Sequence, residues 1–419
     1  VRWTVLVLVS LALFGNYYTY DCIGPLADTL QRSLGYSDSQ IGWLNAIYSV
    51  PNVFMVLVGG ILVDRLGARL ATVVFSAICL LGALLTAASP VFEVMAAGRL
   101  VFGLGAESLI VAITTLIGQW FSARELGLAF GLNLSLARVG SYAADRSPTL
   151  ARPLYELGWQ PPLWLSAGLS ALALVACVAY FALERRAERR YRLGRPPPPD
   201  QVVWRELLSF DRSYWYVVGL CVTFYSVIFP FRSTFSIKYF QHAHHLSLQD
   251  AGDLNSYVFA AAIFATPAFG ALVDRFGRRG LFMAVGTGFL ALSFVCLTLG
   301  SRALPLSTIF IGVAFSLVPA ALWPAVAQLV PAARLGTAYG AMTLLENVGM
   351  AVFNVAAGAL NDGGQASEAN PGGYTPMLVM FFVLSLLGFV FALALRLRET
   401  GPHGHGLERG RLAPPAPGP

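Results

Sequence analysis

The chain has 419 residues, of which 56% are apolar and 12% charged, with a mean hydropathy of +0.65 and a formal charge of +6. That makeup excludes an ordinary soluble protein. The positive balance is carried almost wholly by arginine, Lys238 being the only lysine, and its placement in alternate loops points to membrane topology rather than to nucleic acid.

About 20 apolar residues cross a bilayer as a helix, and twelve such stretches follow one another, centred near Leu11, Phe54, Ile78, Leu109, Leu134, Leu172, Leu220, Phe259, Met283, Ile311, Val352 and Leu384. Backbone groups in lipid must bond within their own segment, so the expected fold is an all-α membrane protein of twelve transmembrane helices. The first stretch runs on through the polar "NYYTYD" without a small-residue cleavage site, and reads as a retained helix. Asp21 ends that motif. It has three candidate roles: contact with a substrate ammonium, hydrogen bonding to neighbouring tyrosines, or proton carriage.

Helices 2 and 3 are joined by "GILVDRLGAR", with Asp64, Arg65 and Arg69. Helix 4 opens with "RLVFGLG", carrying Arg99, and places Glu107 in the middle of an apolar run; helix 5, "LGLAFGLNLSLARVG", holds Arg138 well inside. Asn133 matches a glycosylation pattern but lies within this helix. In "YAADRSPTLARPLYELGWQPP", Asp145 and Arg146 either follow an early end of helix 5 or line an outer vestibule. "ERRAERRYRLGRPPPPD" reads as a linker over 185–210, between an N-terminal bundle at 1–184 and a C-terminal one at 211–398.

Helix 7 brings Tyr225 and then "FPFRSTFSIKYF", where Arg232 is a candidate cavity residue and Lys238 is expected to snorkel to the interface. "QHAHHLS" places His242, His244 and His245 in a solvated loop, with a metal site as the lesser alternative. "GALVDRFGRR" follows helix 8 with Asp274 and Arg275, "ALWPAV" puts Trp323 in helix 10, and "LLENVG" puts Asn347 in helix 11. Residues 399–419 read as a disordered tail. The five cysteines lie singly in apolar segments, and no nucleotide-binding or hydrolase motif occurs, so neither cofactor, metal nor enzymatic activity is expected.

The loops after helices 2, 4, 6, 8 and 10 are rich in arginine, which by the positive-inside rule makes them and both termini cytoplasmic. The halves also repeat. Asp64 recurs as Asp274, 210 positions on, and "LGLAFGLNLSLARVG" returns as "LGTAYGAMTLLENVG" at an offset of 209. Six-helix parallel repeats of this kind are a transporter architecture, with the substrate site between them near the midplane.

The two G-x-L-x-D-R-x-G-x-R loops and "RLVFGLG" resemble the signature elements of the major facilitator superfamily. "NYYTYD", "YSVPNV", "GRLVFGLGAESL", "LAFGLNLSLARVGS", "FPF" and "ALWPAVAQLVPAARLGTAYG" followed by "NVGMA", in that order, resemble the lysosomal dipeptide uniporter family. The resemblance implies a dipeptide substrate, the family's glutamate and arginine at Glu107 and Arg138, and an accessory single-pass glycoprotein as a candidate partner beside the lipid bilayer. Arginine-heavy usage and the lack of an accessible glycosylation site favour a bacterial plasma membrane, with a lysosomal membrane as the alternative.

Ionisable groups within membrane helices are costly and mark a substrate or ion path by default. A dipeptide carries an ammonium and a carboxylate, and desolvating both requires opposite charges ready to receive them. Glu107 fits the first, and the planar guanidinium of Arg138 fits the second with two parallel bonds. The competing expectation is a salt bridge between these two residues. Tyr225, Trp323 and Asn347 are expected on the opposite wall, with plain packing as their alternative. Asp64, Arg65, Arg69, Asp274 and Arg275 form an expected latch between the halves, or simply end helices. Arg99 is grouped with them but reads best as an anchor of neighbouring helices. The function expected is facilitated dipeptide transport by alternating access; proton-coupled transport of another solute and a non-transporting receptor or scaffold are the alternatives.

Overall fold

The computed structural model describes residues 1–121, 125–187, 209–331, 334–402 and 404–408, with the side chains of Val56, Leu57, Asp64 and Ala187 outside that description. Among the described residues, twelve long helices run in two sets of six: α1 Arg2–Asp21, α2 Asp38–Leu66, α3 Ala68–Ala88, α4 Phe92–Trp120, α5 Leu126–Asp145 and α6 Gln160–Ala187, then α7 Arg212–Ile228, α8 Leu248–Phe276, α9 Arg279–Thr298, α10 Leu304–Leu329, α11 Leu335–Gly363 and α12 Thr375–Glu399. Ten apolar spans among them are long enough to cross a bilayer, and α2 and α5 pack between them.

Local chemistry sets several boundaries. Ser37 and Gln40 form a reciprocal capping box at the start of α2, satisfying backbone donors that the helix end leaves open. Asp211 caps α7. Burial works against its carboxylate, yet bonds from Arg398 and the Ser213 N–H hold it below the usual range. The D-R-x-G turns close on Gly67 and Gly277, both at positive φ, where glycine avoids a Cβ clash. Beyond Ile228 the chain continues through a π-helical stretch, Phe229–Phe235, and a further helix, Ser236–His244. Pro230 falls in that stretch and lacks the N–H that a regular turn would use.

The halves meet mainly through α2 against α11 and α5 against α8. Near the arginine-poor end the contacts are backbone to backbone. A Cβ on Gly42 would lie 2.4 Å from the Asn354 carbonyl oxygen, and one on Gly358 would lie 2.4 Å from that of Asp38. One apolar cluster there joins Ile23, Leu26, Leu44 and Ala144 of the first half to the core of the second. The rest of the first half has its own cluster, around Phe75, Phe102 and Leu109. Toward the arginine-rich end the helices part: Gly127 and Gly131 of α5 and Gly270 of α8 have open space where a side chain would stand. Neither of these two α5 glycines packs closely against another helix in this conformation.

Candidate functional site

Midway along the helices, between the halves, lies a cavity of about 360 Å³, a size that suits a small organic molecule. Glu107 of α4 and Arg138 of α5 both line it. The Tyr48 hydroxyl donates to Glu107 Oε1 at 3.3 Å. Arg138 is 8% exposed; its guanidinium lies 3.9 Å from the centre of the Phe315 ring, and its Nε has no hydrogen-bond partner. Among the described residues, neither charge forms an ion pair. A tyrosine hydroxyl and an aromatic face offset part of the desolvation while leaving both charged ends available.

Tyr225, Trp323 and Asn347 line the same space from the second half. Trp323 Nε1 donates to the Tyr225 hydroxyl at 3.1 Å, which orients the indole, and the backbone carbonyl of Trp323 accepts from the Tyr339 hydroxyl at 3.0 Å. Asn347 accepts from Asn52 Nδ2 at 3.3 Å, tying α11 to α2. Glu346 is a lining residue that the sequence reading passed over; it accepts from the Cys221 thiol at 3.6 Å. The signal that singled out Glu107, an acid deep in an apolar helix, was present for it too. Asn16 and Tyr17 also join the lining.

Asp21 and Arg232 fall outside the cavity lining. They meet in a buried ion cluster nearer the arginine-poor end. Arg232 Nη1 donates to Asp21 at 2.6 Å, its Nη2 pairs with Asp145, and Asn255 Nδ2 donates to Asp145 at 3.0 Å. The carboxylates come from the first half, the guanidinium and amide from the second. Asp145 and Arg146 therefore take different paths: α5 ends at Asp145, and Arg146 pairs at 2.9 Å with Asp253 of α8. Lys238, expected at the interface with lipid headgroups, is instead fully buried and paired with Asp38 across the halves. His242, expected in a solvated loop, is buried too. Its Nε2 lies 2.7 Å from Asp28 Oδ1, and its Nδ1 lies 2.8 Å from the Tyr374 hydroxyl. These bonds shut the cavity at the arginine-poor end.

A cavity between two six-helix halves, closed at one end by cross-half ion pairs, is a transporter's arrangement, and comparison with known proteins agrees. The pattern of the Major Facilitator Superfamily matches residues 9–239 and 231–417. The chain belongs to this superfamily. It is similar to the lysosomal dipeptide transporter MFSD1 of Danio rerio, 34% identical over 86% of this chain and 81% of that protein, and to that of Homo sapiens, 30% identical over 96% and 87%. Among solved structures, its fold is similar to that of the nucleoside transporter NupG, with a TM-score of 0.76 at 16% identity over 93% of this chain and 99% of that one. A bacterial homolog of the human lysosomal transporter Spinster, in an inward-facing and unoccupied conformation, gives 0.74 at 14% identity over 98% and 99%. These two likenesses concern the fold alone.

In this superfamily member, a multi-pass membrane transporter and not an enzyme, the residues expected to latch the halves are spread over several settings. Arg99 is at the other end of the molecule from the signature loops. It donates to the carbonyls of Leu44, Thr19 and Tyr20 and, at 2.6 Å, to Asn45 Oδ1, anchoring α4 to α1 and α2 within the first half. Asp274 pairs at 3.3 Å with Arg279 of its own half. Arg275 lies beside Phe276, Arg69 lies 4.9 Å from the Phe181 ring centre, and Arg65 is exposed. The Asp64 side chain and linker residues 188–208 lie outside the described residues. The tail is structured further than expected. Leu407 is buried and its carbonyl accepts from the Arg279 N–H at 3.0 Å, while Glu408 caps α9 by accepting from the Gly280 N–H at 2.8 Å.

Proposed function

We propose that this transporter carries dipeptides by alternating access, as a uniporter, with Glu107 receiving the substrate ammonium and Arg138 its carboxylate. One observation carries the reading: two opposite charges line a single cavity, and among the described residues neither has an ionic partner. Leaving them so costs stability, and a zwitterion is the guest that relieves both at once. The printed names of the MFSD1 relatives support the same substrate class. Because these contacts grip the termini of the guest, many side-chain combinations are accommodated.

With the arginine-rich loops on the cytoplasmic side, the cavity opens toward the cytoplasm in this conformation. The Arg232, Lys238 and His242 clusters then act as the outer gate. Breaking them and closing the signature-loop end, where Asp64, Arg65, Arg69, Asp274 and Arg275 lie, presents the site to the other side. Glu346 favours one rival, proton-coupled transport, since a zwitterion leaves this second carboxylate, bonded to the Cys221 thiol, without an opposite charge.

Uptake into liposomes decides between them. Uniport predicts saturable dipeptide flux that is indifferent to an imposed proton gradient; flux that appears only with the gradient selects the rival, and no flux in either condition removes both. Within the first reading, Glu107→Gln weakens free dipeptides far more than N-acetylated ones, and Arg138→Ala does so far more than amidated ones.

A further inference from the structure

A second cavity, of about 380 Å³, opens between α5 and α8 on the arginine-rich side of the closed end. Its walls are mainly apolar, with Leu128, Leu132 and Leu134 on one side and Ala262 and Pro267 on the other. Gly127 and Gly131 widen it, having no atom within 4 Å of where a side chain would begin. Three polar side chains line this cleft, those of Ser135, Arg138 and Thr266. Arg138 lines it as well as the central cavity, so one guanidinium stands at the junction of the two spaces, 92% buried and with Nε unbonded. Across from it, Thr266 Oγ1 is buried and has no hydrogen-bond partner.

The consequence follows from covalent structure. In a dipeptide the side chain of the second residue is attached to the carbon that bears the carboxylate. If Arg138 holds that carboxylate, as proposed above, this side chain starts beside the cleft and the first residue's side chain does not. We propose that the α5/α8 cleft is a side-chain subsite selecting dipeptides with a large apolar second residue. The apolar walls supply the affinity, and the junction arginine supplies the register. The first residue's side chain stays in the more polar central cavity beside Glu107, Tyr48 and Glu346.

The subsite belongs to this conformation. Bringing α5 and α8 together at the arginine-rich end removes the space, so a bulky second residue must leave the cleft before the transporter returns. The same substrates should therefore bind more tightly and turn over more slowly than small ones.

The test compares Ala-Phe with its reverse, Phe-Ala, using Ala-Ala as the reference in each protein. With the parent protein in detergent, Ala-Phe is expected to bind about tenfold more tightly than Phe-Ala, the effect of burying one aromatic side chain in place of a methyl group. Gly131→Leu fills the cleft from α5, and Thr266→Leu fills it from α8. Each is expected to bring the Ala-Phe to Phe-Ala ratio to within about twofold. Using both walls guards against a variant that fails to fold. Equal affinity of the two peptides in the parent, or a ratio that survives both substitutions, overturns the subsite and leaves the cleft to lipid chains, while dipeptide transport stands. If the parent binds none of the three peptides, the subsite and the transport reading fall together.

Discussion

The arginine-poor end and the central cavity both bury charge, and they treat it in opposite ways. At the closed end the groups that bridge the halves meet carboxylates: Arg232 pairs with Asp21 and Asp145, Lys238 pairs with Asp38, and the His242 ring bonds Asp28. In the cavity, Glu107 and Arg138 have a tyrosine hydroxyl and an aromatic ring for company. Burial alone therefore does not separate a structural charge from a functional one. What separates them is whether the group is already satisfied within the fold: the paired charges are, and so is Arg99, whose guanidinium donates to three carbonyls and Asn45, whereas Glu107 and Arg138 meet no opposite charge among the described residues.

Substitutions should divide along that line. The largest effect is expected from Arg232→Ala, which leaves Asp21 and Asp145 buried side by side; stability should fall by about 3–5 kcal/mol in thermal or chemical unfolding, as for other broken buried pairs. A result near zero would erase the contrast. Glu107→Gln should do the reverse, changing stability by less than about 1 kcal/mol while weakening dipeptide binding by about 2–3 kcal/mol, the loss typical of a charged hydrogen bond. Calorimetric titration on a protein of unchanged melting temperature would show it. Lys238→Met and Asp38→Leu sharpen the comparison: each alone should destabilise by about 2–3 kcal/mol, and the double variant should recover most of that, since a well-packed apolar pair often replaces a buried ion pair at little cost. The smallest effect is expected at Asp211→Ala, outside the membrane spans, at about 1 kcal/mol for a lost helix cap, visible as a small shift in melting temperature.

The same contrast explains what was legible in the sequence. Twelve helices, the half-chain repeat and the acid inside α4 are local or periodic signals, and hydropathy reads them directly. Arg138 was visible for the same reason. Lys238 and His242 were misplaced because their partners, Asp38 and Asp28, lie some 200 positions earlier, and nothing local announces a pairing made only when the halves close. Leu407 and Glu408 read as tail residues because their contacts, at Arg279 and Gly280, are also remote, 128 positions earlier. Gly127 and Gly131 show a different limit: a helix-packing glycine and a cleft-lining glycine have the same composition, and which one is seen depends on the conformation adopted. Glu346 was readable but was overshadowed by Asn347, which the repeat aligned with Arg138.

The close backbone approach of Gly42 and Gly358 to the facing chain has a mechanical result. With no side chain between them, α2 and α11 are held at a pivot near one end of two long rods. Leu66 lies 24 positions beyond Gly42, roughly 36 Å at 1.5 Å per residue. A tilt of only about 10° at the pivot thus carries the far tip through about 6 Å over that length, comparable to the width of a peptide backbone, so a slight turn at the fulcrum suffices to widen or close the far mouth.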